Sequence, residues 1–201
     1  MLFLRIFIST LFILINIRFL GFDIIPSFFG YILMLYSFNQ LKTKNSYFNS
    51  CRLLCIPLII LSIFNFYNLH TNKIINVSYT TILSVTIEIL TFILNLSLFI
   101  NLFNGIKNIA EKNKLIYLEK LCCKTSKFYK IFTSITVILN IFYIAISNNP
   151  LQSLDNNLAI LLNMVLLLTC SLTYVLNYIA ILNLLWKSYK ILDKAQQYIK
   201  T

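Results

Sequence analysis

Residues 77–103 read VSYTTILSVTIEILTFILNLSLFINLF, and Glu88 is the only formally charged side chain among them. At about 1.5 Å of rise per residue, a helix of this length exceeds the roughly 30 Å hydrocarbon core of a bilayer. Thr81, Ser84, Glu88, Thr91 and Asn95 recur at alternating spacings of three and four. That period puts them on one face of a helix, whereas a strand would alternate in twos. The stretch therefore predicts a membrane-spanning α-helix with one polar stripe.

The rest of the 201 residues has the same character. Hydrophobic residues make up 59% and charged residues 11%, and the mean hydropathy is +0.80. A water-soluble domain carries about 25% charged residues, so the composition excludes an ordinary soluble fold. Five further apolar runs, at residues 2–20, 24–41, 53–69, 131–147 and 158–186, complete a set of six. The expected fold is all-α: a single polytopic membrane domain of six transmembrane helices. The apolar run after Arg5 resembles the start of a secretory signal, but no small-residue cleavage site follows it, so it is expected to stay in the protein.

The net charge of +11 comes from Lys+Arg 17 against Asp+Glu 6. These cations are distributed over short connections instead of forming one arm or face, which favours the positive-inside rule over nucleic-acid binding. Lys42, Lys44 and Arg52 follow the second run. Lys107, Lys112, Lys114, Lys120, Lys124, Lys127 and Lys130 lie in a basic loop at 104–130, and Lys187, Lys190, Lys194 and Lys200 in a basic tail at 187–201. The intervening connections hold Asp23, then His70 and Lys73, then Asp155. Six crossings with both termini cytoplasmic satisfy this bias at every connection, and the protein is expected in the cell (cytoplasmic) membrane. Within 104–130, Leu115, Leu118, Cys122 and Tyr129 recur at roughly helical spacing. This predicts a helix on the inner leaflet with Lys112, Lys114, Lys120, Lys124 and Lys127 facing anionic headgroups or docking a partner protein.

Polar residues inside the runs are the candidate functional set, because an ionisable group at the bilayer centre costs about 2.5–3.5 kcal/mol on insertion scales. Glu88, Ser84, Thr91 and Asn95 of the fourth run are expected to face Asn140 of the fifth, beside Thr133 and Thr136, and Asn163 and Asn177 of the sixth, beside Cys170 and Thr173. Two readings apply to this stripe. As adhesive, the hydroxyls and amides hydrogen-bond between helices. As a path, Glu88 exchanges a proton or meets a cationic solute.

The first hairpin carries Gly21-Phe22-Asp23-Ile24-Ile25-Pro26-Ser27-Phe28-Phe29-Gly30-Tyr31-Ile32-Leu33. Asp23 is placed to N-cap the second helix, Pro26 suits a first helical turn, and Gly30 permits close helix contact. This pattern resembles the D-x-x-P-x-x-x-G-Y-x-L hairpin near the N-terminus of small multi-span membrane proteins of low-GC Gram-positive bacteria. The likeness covers roughly the first forty residues and departs at Ser27, where those proteins often carry an acidic residue. It implies a multi-span membrane fold and no particular activity.

Several chemistries lack their reagents. His70 is the only histidine, Cys51 and Cys55 have three residues between them and Cys122 and Cys123 none, so a zinc site is not expected. No G-x-S-x-G elbow, Walker loop or G-x-G-x-x-G run occurs. No cofactor is expected. The leading expectation is a non-enzymatic component of a transport or envelope assembly, in contact with lipid and with a membrane partner or a second copy. The alternatives are a small proton-coupled or cation-solute carrier using Glu88 and, last, a membrane enzyme.

Overall fold

The computed structural model describes residues 2–14, 18–19, 22–23, 27–71, 77–148 and 156–193. Within them the chain is all-α apart from one two-residue ladder. Helix α1 (Leu2–Leu14) leads into β1 (Arg18–Phe19) and β2 (Phe22–Asp23), followed by α2 (Ser27–Leu41), α3 (Ser46–Thr71), α4 (Val77–Lys112), α5 (Ile116–Asn148) and α6 (Asn156–Ser188). A π-helical turn, Tyr189–Asp193, extends α6.

The contacts divide the chain into two units, one of Met1–Cys123 with Leu184–Thr201, the other Lys124–Asn183. In the first, α1 packs on α2, α2 on α3, α3 on α4, and the π-helical turn on α1. Glycine sets two of these crossings. A Cβ on Gly30 would stand 2.6 Å from Ile13 Cγ1 and 2.8 Å from the Ser9 carbonyl oxygen. One on Gly105 would stand 2.8 Å from Cε1 of Phe48. The Phe48 ring fills the space that Gly105 leaves. It is fully buried, stacks on Phe38 at 6.2 Å between centroids and takes Phe3 edge-on at 6.5 Å. One side chain thus joins the start of α1, the end of α2, the start of α3 and the end of α4.

The turns follow local chemistry. Asn45 caps α3, its Oδ1 accepting from the Tyr47 backbone N–H at 3.2 Å, while its Nδ2 donates to the Gly105 carbonyl at 3.4 Å. Helix α4 ends in a Schellman turn: the Leu115 N–H donates to the Ala110 carbonyl and the Lys114 N–H to that of Glu111. Lys114 occupies the left-handed position with φ 55°, a conformation glycine adopts more easily.

Several sequence-based boundaries need correction. Of the run at 2–20, Leu2–Leu14 is helical and Arg18–Phe19 is a strand; Asp23, expected as the cap of α2, is paired through its backbone with Arg18, and its side chain lies outside the described residues. Pro26 lies outside the described residues. The run at 53–69 starts earlier, at Ser46, and the one at 77–103 continues to Lys112. The stretch at 104–130, expected as a basic loop with a helix through Leu115–Tyr129, is helical on both sides of 113–115, its two parts continuous with α4 and α5. Leu, Ile, Lys and Glu are good helix formers, and nothing before Asn113 stops α4. Similarly, α5 and α6 overrun 131–147 and 158–186 at both ends.

Among the described residues two stretches are long and apolar enough to cross a membrane, Ser46–Phe64 and Ile89–Lys112. Helices α1 and α2, of 13 and 15 residues, rise only about 20 and 22 Å.

The fit of Phe48 on Gly105 is open to test. Gly105→Ala should lower stability by about 1–3 kcal/mol through overpacking, read as a lower thermal midpoint in detergent. Adding Phe48→Leu should recover part of the loss, because the smaller side chain gives the new methyl room.

Candidate functional site

The polar positions of α4 find their partner on α2. The Tyr31 hydroxyl donates to Asn95 Oδ1 at 2.9 Å, and Tyr31 is buried. One turn away on α4, Thr91 Oγ1 is buried without a hydrogen-bond partner. Glu88 and Ser84 lie on the same helix, but their side chains fall outside the described residues. Tyr31 was missed in the candidate set because it follows Gly30 in an apolar run and reads as packing. The usable signal was its phenol, since a tyrosine facing a helix interior needs an acceptor.

In the second unit α5 and α6 are joined by polar pairs. Asn177 Nδ2 donates to Thr133 Oγ1 at 3.4 Å, and the Thr136 and Thr173 hydroxyls are hydrogen-bonded at 3.1 Å. Asn177 is buried and its Oδ1 accepts nothing. Burial pushes the Tyr129 phenol up, and the neighbouring Tyr174 adds to the shift. The side chains of Asn140, Asn163 and Cys170 lie outside the described residues. Among the described residues the polar pairs between helices are therefore Asn95 with Tyr31 in the first unit, and Asn177 with Thr133 and Thr136 with Thr173 in the second.

Most in-helix hydroxyls turn back on their own backbone. Ser9, Thr10, Ser37 and Ser188 each donate to the carbonyl four residues earlier, which satisfies the group without an interhelical partner.

Lysines from three segments gather at one end of the first unit. Lys42 and Lys44 sit in the α2–α3 turn, which Asn45 ties to Gly105 near the end of α4. Lys107, Lys112 and Lys114 follow Gly105, and Lys187 at the end of α6 donates to the Tyr117 hydroxyl in the first turn of α5 at 2.6 Å. Lys112, Lys114, Lys120, Lys124 and Lys127 are all exposed. Lys107 pairs with Glu111 on the next turn at 3.2 Å.

The thiols at this end differ. Cys51 and Cys122 are buried. The Cys51 thiol donates to the Leu98 carbonyl at 3.6 Å. Burial, with Cys123 adding to it, pushes the Cys122 thiol up to about 12, which keeps it protonated and poorly nucleophilic. Cys123 is half-exposed. Among the described residues no three of His, Cys, Asp and Glu gather in a way that could hold a metal ion.

The Tyr31 bond gives a double-mutant test. Tyr31→Phe should cost about 1 kcal/mol by removing the donor from a partly buried amide oxygen. Asn95→Leu added to it should be nearly neutral relative to Tyr31→Phe, the coupling being read from unfolding midpoints in detergent. No protein-family model, curated protein or solved structure matches the chain.

Proposed function

We propose that the chain is a multi-pass protein of the cytoplasmic membrane, crossing six times with both termini inside, and that it serves as a non-enzymatic component of a transport or envelope assembly. One observation carries this reading: basic turns of the first unit lie together at one end, while the flanks of the two helices with membrane-length apolar stretches, α3 and α4, are exposed. Leu53, Ile56, Ile60 and Phe64 recur along one face of α3 and are exposed, as are Ile89 and Ile93 on α4. Water disfavours such a surface, and acyl chains match it. The lysines then sit where anionic headgroups of the inner leaflet attract them, at about 1 kcal/mol each. Lys112, Lys114 and Lys120 of the first unit, and separately Lys124 and Lys127 of the second, are offered to lipid or to a membrane partner.

Helices α1 and α2 are each about 8–10 Å short of the hydrocarbon thickness. In this reading the ladder between them lies at the outer surface.

A second reading, a small carrier using Glu88, draws on Thr91: a buried hydroxyl without a partner, three residues along α4 from Glu88. An unpaired group on that face suits a polar path better than a filled helix contact.

Two measurements decide between these. A variant retaining Cys123 as its sole cysteine should resist a membrane-impermeant maleimide in intact cells and react once the membrane is opened. Reaction in intact cells refutes the orientation. Glu88→Gln should leave abundance and proton flux in reconstituted vesicles unchanged under the first reading, and abolish a measurable proton flux under the second.

A further inference from the structure

At the end of α6, side chains from four segments of the first unit form an aromatic platform with cations around it. The Trp186 ring lies 5.5 Å from that of Phe7 on α1 and 5.5 Å from that of Tyr189 in the π-helical turn. Lys190 Nζ stands 5.2 Å from the Trp186 ring centroid. Lys187 Nζ lies 5.3 Å from the Tyr117 ring centroid while donating to its hydroxyl at 2.6 Å. The surface is open: Trp186 is 39% exposed and Tyr117 59%. Both ammonium groups therefore rest on rings and a phenol oxygen, with no carboxylate among these contacts, and each keeps N–H donors for an anion.

We infer that this corner is a discrete binding site for one anionic phospholipid, the headgroup phosphate lying between Lys187 and Lys190 and the upper acyl chain against Trp186 and Phe7. The inference rests on the membrane reading above and adds to it a specific site. Charge complementarity selects the ligand, because two ammoniums beside each other favour a phosphate. The aromatic platform selects a lipid over a free anion, because indole and phenol rings settle at headgroup depth, one side against acyl chain and the other wet. Contact with the rings also holds the lysines near the surface, so less side-chain freedom is lost when the phosphate binds. Lys42 and Lys44, in the α2–α3 turn of the same unit, have no ring contact of this kind and serve as an internal control.

Native mass spectrometry of the whole chain, released from micelles doped with phosphatidylglycerol or phosphatidylcholine, tests the site. The expected result is one phosphatidylglycerol retained in preference to phosphatidylcholine. Retention should weaken about thirtyfold in Lys187→Gln/Lys190→Gln, from the loss of two near-surface cations, return in Lys187→Arg/Lys190→Arg, and persist in Lys42→Gln/Lys44→Gln. If the double variant fails to fold, Lys190→Gln alone, at an exposed position, should still weaken retention. Equal loss in Lys42→Gln/Lys44→Gln overturns the site in favour of diffuse charge. Displacement of the lipid by millimolar inorganic phosphate overturns the claim that a lipid is the ligand. Loss of the phosphatidylglycerol preference with phosphatidylcholine still bound overturns the site alone, whereas retention of neither lipid overturns the membrane reading beneath it.

Discussion

The first unit depends on one steric fit, the Phe48 ring seated against the bare backbone of Gly105. Close approach of two helices requires that one of them present no side chain at the crossing, and Gly105 does so where α3 meets α4. The ring that fills the space also touches Phe38 and Phe3, so the same contact fixes the ends of α1 and α2. Asn45, which caps α3 and donates to the Gly105 carbonyl, locks the turn above it. In an apolar solvent this kind of fit matters more than in water. Burial of hydrocarbon there brings little net gain, and shape and hydrogen bonds have to hold helices together.

The charge distribution follows from that packing. Because the ends of α2 and α4 are drawn together at Phe48, the lysines that follow each of them are drawn to the same end of the unit. Lys187, bound to Tyr117, joins the same basic set. Their mutual repulsion is tolerable where water or anionic headgroups surround them, and the exposure of Lys42, Lys44, Lys112 and Lys114 is consistent with this. The apolar residues along the outer faces of α3 and α4 have the opposite need. The unit is polar at one end and apolar along its flanks, an arrangement that suits a boundary between water and hydrocarbon.

The polar residues within the helices either join neighbours or bond to their own backbone. Tyr31 with Asn95, Asn177 with Thr133 and Thr136 with Thr173 are pairs between helices, and the serines bond to their own backbone. Four buried atoms among the described residues depart from this economy, Arg52 Nε, Thr91 Oγ1, Asn108 Oδ1 and Asn177 Oδ1. A buried unpaired polar group costs about 1–3 kcal/mol. These four positions are where the helices have unused bonding capacity.

Hydropathy and helical period alone determined that the chain is helical, where the main apolar segments lie, and that cations collect at alternate connections. These are properties of composition and of 3.6-residue periodicity, both local. Helix ends were less legible. A helix within the lysine-rich stretch at 104–130 was legible from the spacing of Leu115, Leu118, Cys122 and Tyr129, but its continuity with the flanking runs was not, because charge interrupts hydropathy while lysine does not interrupt a helix, and α4 runs on until Lys114 turns left-handed. Asp23 was legible as a polar residue ahead of the second helix, whereas its backbone pairing with Arg18 was not. The partners across helices were beyond the sequence entirely. Asn95 was legible as polar, but its match with Tyr31, the seat of Phe48 on Gly105 and the gathering of Phe7, Trp186 and Lys190 depend on which helices become neighbours and in what rotation, and only the tertiary structure decided that.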